Sequence, residues 1–100
     1  MIYRVQLSEL AIDDLIALHR WITSEADAET ATGYIDRIEA RIAALSEFPN
    51  RGTPRDDLSD RLRTLAFERR LIIAYKINDE TVTVLRVINA ARDLGSDFTH

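Results

Sequence analysis

The chain has 100 residues, 46 % hydrophobic and 30 % charged, with three glycines, two prolines and no cysteine. That size holds one core and that balance is a folded domain's, which excludes collagen-like, low-complexity and disordered chains. Lack of cysteine excludes disulfide scaffolds, thiolate metal sites and thiol nucleophiles. The net charge of −4 is a poor footprint for binding free nucleic acid.

Ile2–Leu7 alternates, with Tyr3, Val5 and Leu7 on one face, and reads as a short strand. Ser8 is placed to cap a helix over Glu9–Ser24. Its stripe is Ala11, Leu15, Leu18 and Ile22, with Trp21 alongside. Asp13 and Asp14 fall in the first turns, where the helix dipole favours acids. As neighbours they point about 100° apart and form no catalytic pair. Asp27 caps a second helix with Ala31, Ile35, Ile38, Ile42 and Leu45 on one face, flanked by Tyr34 and Phe48 and stopped by Pro49. The two stripes meet most simply in an antiparallel hairpin. Phe48–Pro54 is a loop by its proline and glycine content, and Arg55–Asp60, with Asp56, Asp57 and Asp60, is a polar stretch. Arg61–Phe67, Arg69–Ile77 and Thr81–Ile88 read as strands, the last two joined by Asn78-Asp79-Glu80. Residues 89–100 read as a loosely held polar tail.

The expected fold is therefore α+β, with the order β-α-α-β-β-β. A helical hairpin packs on one face of a mostly antiparallel four-stranded sheet, in a single domain over residues 1–100. Both alternating sets of the last two strands are rich in apolar residues. Two helices cover one face, so the other is expected to be partly apolar and open, as an interaction surface, with Val84 on it. Met1–Leu7 lacks a leader pattern and Leu71–Tyr75, the longest apolar run, is too short to span a bilayer. A cytoplasmic protein without membrane contact is expected.

The cations are unevenly placed. Lys76 is the only lysine, and Arg61, Arg63, Arg69, Arg70, Arg86 and Arg92 crowd the second half. Arginine forks suit carboxylates and phosphates. No His/Asp/Glu spacing suggests a metal site, and no glycine loop suggests a phosphate cradle. No cofactor is expected.

Several runs resemble, in order, the ParE/RelE superfamily of bacterial toxin–antitoxin toxins, and its ParE branch in particular. They are Tyr3–Leu15, the Ala31…Tyr34-Ile35…Phe48-Pro49…Gly52 run, Leu62-Arg63…Leu65, Leu71–Tyr75 and Val84–Asp93. The resemblance implies a toxin that arrests growth in the cytoplasm. It also implies a ParD-like antitoxin, in a heterotetramer, whose C-terminal segment wraps the toxin and whose dimeric part reads operator DNA, so that the toxin meets DNA only indirectly. ParE-like members are associated with poisoning DNA gyrase, and RelE-like members cut mRNA on the ribosome. RNA cleavage needs proton transfer at the 2′-hydroxyl and the leaving oxygen. Where family members often carry a histidine this chain has Asn89, an amide that transfers no proton near neutral pH. Ala91 stands where an arginine often does. Gyrase poisoning needs a binding surface alone, so no catalytic residue is assigned. Ribosome-dependent cleavage, or a non-toxic member that only binds its antitoxin, are the alternatives. The candidate partner- or target-binding residues are Arg63, Tyr75, Val84, Arg86, Asn89 and Arg92. Trp21 fits core or interface packing better than a ligand platform, and His19 fits a helix surface better than a general base.

Overall fold

The computed structural model describes residues 2–91. Strand β1 is Arg4–Leu7. Helix α1, Glu9–Glu25, starts at Ser8, whose backbone is extended and whose hydroxyl oxygen accepts the Ala11 N–H at 3.1 Å. Ala11 and Leu15 are buried and Leu18 packs against the core, as their spacing predicts. Asp27 caps helix α2, Ala28–Ala43, accepting the Thr30 N–H at 2.6 Å. α2 ends before the expected Pro49: the chain tightens into a 3-10 turn, Ala44–Ser46, that buries Leu45.

The sheet has five strands in the order β1-β5-β4-β3-β2. β3 is Arg63–Phe67, β4 is Leu71–Asn78 and β5 is Thr81–Asn89. These three pair antiparallel, while β1 runs parallel to β5, so the sheet is mixed. One strand more is present than the sequence suggests. β2 is only Thr53–Pro54, paired with Thr64 and Arg63 at the sheet margin, where a proline's missing N–H costs no ladder bond. β4 and β5 are joined by Asp79-Glu80, with Asp79 at φ 52°.

One irregularity overturns the expected faces. Tyr75 pairs with Val84, but Ala74 pairs with Arg86, so Leu85 is an extra residue in β5. Such a bulge reverses inward–outward parity from there on. Val82, Val84 and Val87 consequently share one core with Leu71, Ile73 and Tyr75 and with the helix residues Ala11, Leu15, Ile38 and Ile42. Val84 is 0 % exposed and lies in this core, not on an open face. The alternate set is not an open patch either: Ala74 and Ile88 are buried, and Ile72 and Leu85 are half-buried. Among the described residues the exposed large apolar side chains are elsewhere, at Ile2 before β1, at Leu10, Ile12, Ile16 and Trp21 of α1 and at Phe48 after the 3-10 turn.

Candidate functional site

The bulge in β5 is held by the start of α1. The Ser8 N–H donates to the Val84 carbonyl at 2.9 Å, and the Ser8 hydroxyl donates to the Leu85 carbonyl at 2.8 Å. One turn further on, the Asp14 carboxylate accepts three bonds of 2.9 Å, from Arg86 Nε, from Arg86 Nη2 and from the Val87 N–H. Both side chains of this ion pair are only 16 % exposed. Asp14 is thus more than a helix-terminal acid: it fixes the fork of Arg86 and the backbone after the bulge. Three backbone groups around the bulge find partners on the cap and first two turns of α1.

Tyr75 and Arg63 are brought together on a second loop. Tyr75 is fully buried; its hydroxyl donates to the Pro49 carbonyl at 2.8 Å and accepts the Gly52 N–H at 2.7 Å. Burial raises the Tyr75 pKa above the ordinary tyrosine value, opposed by the Gly52 N–H and the Arg63 charge. Arg63 Nη1 donates to the carbonyls of Gly52 at 2.7 Å and Asn50 at 3.2 Å. A Cβ at Gly52 would stand 2.6 Å from the Tyr75 hydroxyl and 3.0 Å from the Thr64 carbonyl, so this close approach requires glycine. The Phe48–Gly52 loop is pinned from below, and Phe48 points outward from it, 60 % exposed.

Of the remaining described candidates, neither Asn89 nor His19 joins these groups. The Asn89 side-chain oxygen accepts the Ala91 N–H at 2.8 Å, an Asx turn that carries the chain out of β5. Arg92 and the tail 92–100, including His100, lie outside the described residues. His19 is half-buried beside α2, its Nε2 3.2 Å from Thr32 Oγ1. Among the described residues no group of three His, Asp or Glu side chains could hold a metal ion. Nor, among them, is any helix long and apolar enough to cross a membrane.

The sequence reading missed a groove. It has a volume of about 300 Å³ and runs between the C-terminal half of α1, α2 and the β3–β4 turn. Leu18, Trp21, Ile22 and Tyr34 give it an apolar lining, and Arg37, Arg70 and the acid Glu25 also border it. Tyr34 is fixed by an edge-on contact with Phe67 (5.6 Å between ring centres), and Arg37 lies over the Tyr34 ring at 5.1 Å. Burial, with the Glu68 charge second, raises the Tyr34 pKa. Arg37 is tied to Glu68 at 3.0 Å, which holds the Glu68 carboxyl below the ordinary range. Glu68 and Arg69 form the turn in the left-handed region (φ 47° and 61°), at some cost for residues with a Cβ. An apolar lining bordered by charged groups suits an amphipathic segment, and Arg70 takes part in no ion pair among the described residues. Trp21 was readable as interface packing. Arg37 and Arg70 were not, because only the folded chain brings them to one opening.

Comparison with known proteins agrees with this architecture. Residues 5–94 match the family described as "ParE toxin of type II toxin-antitoxin system, parDE". A curated relative, "Toxin ParE3" of Caulobacter vibrioides, is 30 % identical over 85 residues, covering 85 % of this chain and 84 % of its own. A structure titled "Chromosomal ParDE TA system from P. aeruginosa" superposes with a TM-score of 0.78 at 20 % identity, over 88 % of this chain and 96 % of that one. A chain of the RelBE2 toxin–antitoxin complex of Mycobacterium tuberculosis gives 0.63 at 26 % identity, over 92 % and 95 %. The family match spans the capped first helix, the pinned loop and the bulged last strand together, and on it the chain belongs to the ParE toxins of type II toxin–antitoxin systems.

Proposed function

We propose that this toxin arrests growth by binding DNA gyrase in the cytoplasm and not by cutting RNA, and that a ParD-like antitoxin neutralises it in a heterotetramer. The observation that carries the reading is how the described polar groups of the expected site are used. Asn89 turns its amide to the Ala91 backbone, Arg63 gives Nη1 to two loop carbonyls, and Arg86 grips Asp14. These groups shape the surface, and a toxin that works by binding needs shape without proton transfer. For the antitoxin, the Trp21–Tyr34 groove with Arg37 and Arg70 at its rim offers a seat for an acidic amphipathic segment. That similar solved structures come from a ParDE system and from the RelBE2 toxin–antitoxin complex supports a dedicated partner. Arg63 and Arg86 remain candidate contacts to the target, with Asn89 and Arg92 further along the sequence. Tyr75 and Val84, both fully buried, serve the surface from beneath.

The test is a supercoiling assay with purified gyrase, relaxed plasmid and ATP, adding this chain freed from its antitoxin. Loss of supercoiling with trapped, cleaved DNA, reversed by the antitoxin, is expected. Folded protein that is lethal in cells yet leaves gyrase untouched refutes the target. New mRNA ends on treated ribosomes would then establish the RelE-like alternative. Expression without growth arrest would establish a member that only binds its partner.

A further inference from the structure

The outward face of α1 is more unusual than its core face. Ile12 and Ile16, one turn apart, are 46 % and 51 % exposed in a helix whose inward stripe is already complete. Facing outward on that helix, Asp13 and Arg20 are exposed, and neither takes part in an ion pair among the described residues. The outer side of neighbouring α2 carries Thr32, Asp36 and Glu39 instead, so the apolar centre belongs to α1 alone. Beside Ile16 the surface dips into a depression lined by Ser24, by Ala28 at the start of α2 and by Ile16, His19, Arg20 and Thr23 of α1, and the last four set its outward part. These positions, i, i+3, i+4 and i+7, form the hole that receives one side chain in knobs-into-holes packing.

We propose that this face docks on the same face of a second copy, antiparallel, about a two-fold axis at Ile16. The register follows from the positions. With Ile16 opposite its own copy, Ile12 of each chain meets the depression at His19 and Arg20 of the other. Asp13 of each chain then falls one residue from direct opposition to Arg20 of the other, within reach of its long side chain. The acid lies toward the N-terminus of α1 and the base toward the C-terminus, so an antiparallel pair matches opposite charges twice and a parallel pair matches none. This is the self-complementarity a two-fold interface demands. One helix face buries less than the roughly 1,200 Å² of a stable complex, so the pair is weak, with a dissociation constant on the order of 100 μM.

The experiment is sedimentation equilibrium of the purified, antitoxin-free chain from about 5 to about 500 μM, at low and high salt. A monomer–dimer equilibrium weakened by salt is expected, and Ile16→Asp is expected to remain monomeric throughout. Asp13→Arg and Arg20→Asp each set like charges together and weaken association about tenfold or more. The double variant restores it to within about threefold, because the pairs re-form with their signs exchanged. All three positions are exposed, and circular dichroism verifies that each variant is folded. A wild-type chain that is monomeric at the highest concentration overturns the proposal, as does a double variant that fails to recover. If Ile16→Asp instead abolishes antitoxin binding with no self-association in the wild type, the face belongs to the antitoxin.

Discussion

Replacing Asp14 by alanine tests the join between the first helix and the last strand. It removes the acceptor of three bonds of 2.9 Å, two from the Arg86 guanidinium and one from the Val87 N–H. With both side chains 16 % exposed, water restores little of what is lost. Removing one partner of a buried ion pair costs about 3–5 kcal/mol, of which an orphaned backbone N–H alone accounts for about 1–3. A domain of this kind is stable by about 5–15 kcal/mol, so the loss is a large share. In urea, with a slope of about 1–3 kcal/mol per M, the unfolding midpoint should fall by about 2 M. Asp14→Asn keeps an acceptor for Val87 and loses the charge, so its effect should lie between. A double-mutant cycle with Arg86→Met should give a coupling above about 1 kcal/mol. An acid that served only the helix dipole would contribute about 0.3–1 kcal/mol. An Asp14→Ala cost in that range, with coupling near zero, refutes the reasoning.

Gly52→Ala should destabilise the chain by about 1–3 kcal/mol, because the new methyl meets the Tyr75 hydroxyl and the Thr64 carbonyl, which cannot both retreat. Tyr75→Phe should cost a similar amount by stranding the Gly52 N–H, and both losses are read from thermal melts. Val84→Asp should leave no folded domain by circular dichroism, since it buries a carboxylate among valines and leucines. Acid should destabilise the fold. The Thr30 N–H lowers the pKa of Asp27, and the Arg37 and Arg55 side chains lower those of Glu68 and Asp57. Their support is complete above the ordinary values of 3.8 to 4.5 and is lost as pH falls through the depressed folded values. Asp27→Asn keeps the cap but not its titration, so urea midpoints measured at several pH values should fall less steeply toward acid. At the other extreme, the raised pKa of Tyr75 gives support that is complete below 10.0 and lost as pH climbs through the folded value.

Much of this was legible in the residues. Ser8 and Asp27 announced both helix starts, because capping is a local transaction between a side chain and a backbone N–H three residues on. The stripes Ala11–Leu15–Leu18 and Ala31–Ile38–Ile42 announced the core faces, because burial follows the helical period. Val84 was misplaced because parity counting assumes an uninterrupted pleat, and the bulge at Leu85 depends on Ser8 and Asp14, more than seventy residues away. A clue was present: Asp14 lies on the inward half of the α1 wheel, flanking Ala11 and Leu18, where a carboxylate needs a partner. The groove at Trp21 was harder, since its walls come from two helices and a turn whose residues share no sequence pattern.

The join at the bulge also bears on how the chain is assembled during synthesis. The bonds from Ser8 and Asp14 reach 72 to 77 residues along the chain, and β1 finds its strand partner among the described residues in β5. The β1 margin of the sheet is therefore made first and the strand beside it last. A growing chain carries the Ala11–Leu15 stripe uncovered by its sheet until β5 has been made, and no fragment ending before residue 84 can close the bulge. Closure over such separations places folding toward the slow end for domains of this size. Growth-arresting surfaces that depend on the finished sheet would then be absent from every incomplete chain, which confines toxicity to molecules whose synthesis has passed Asn89.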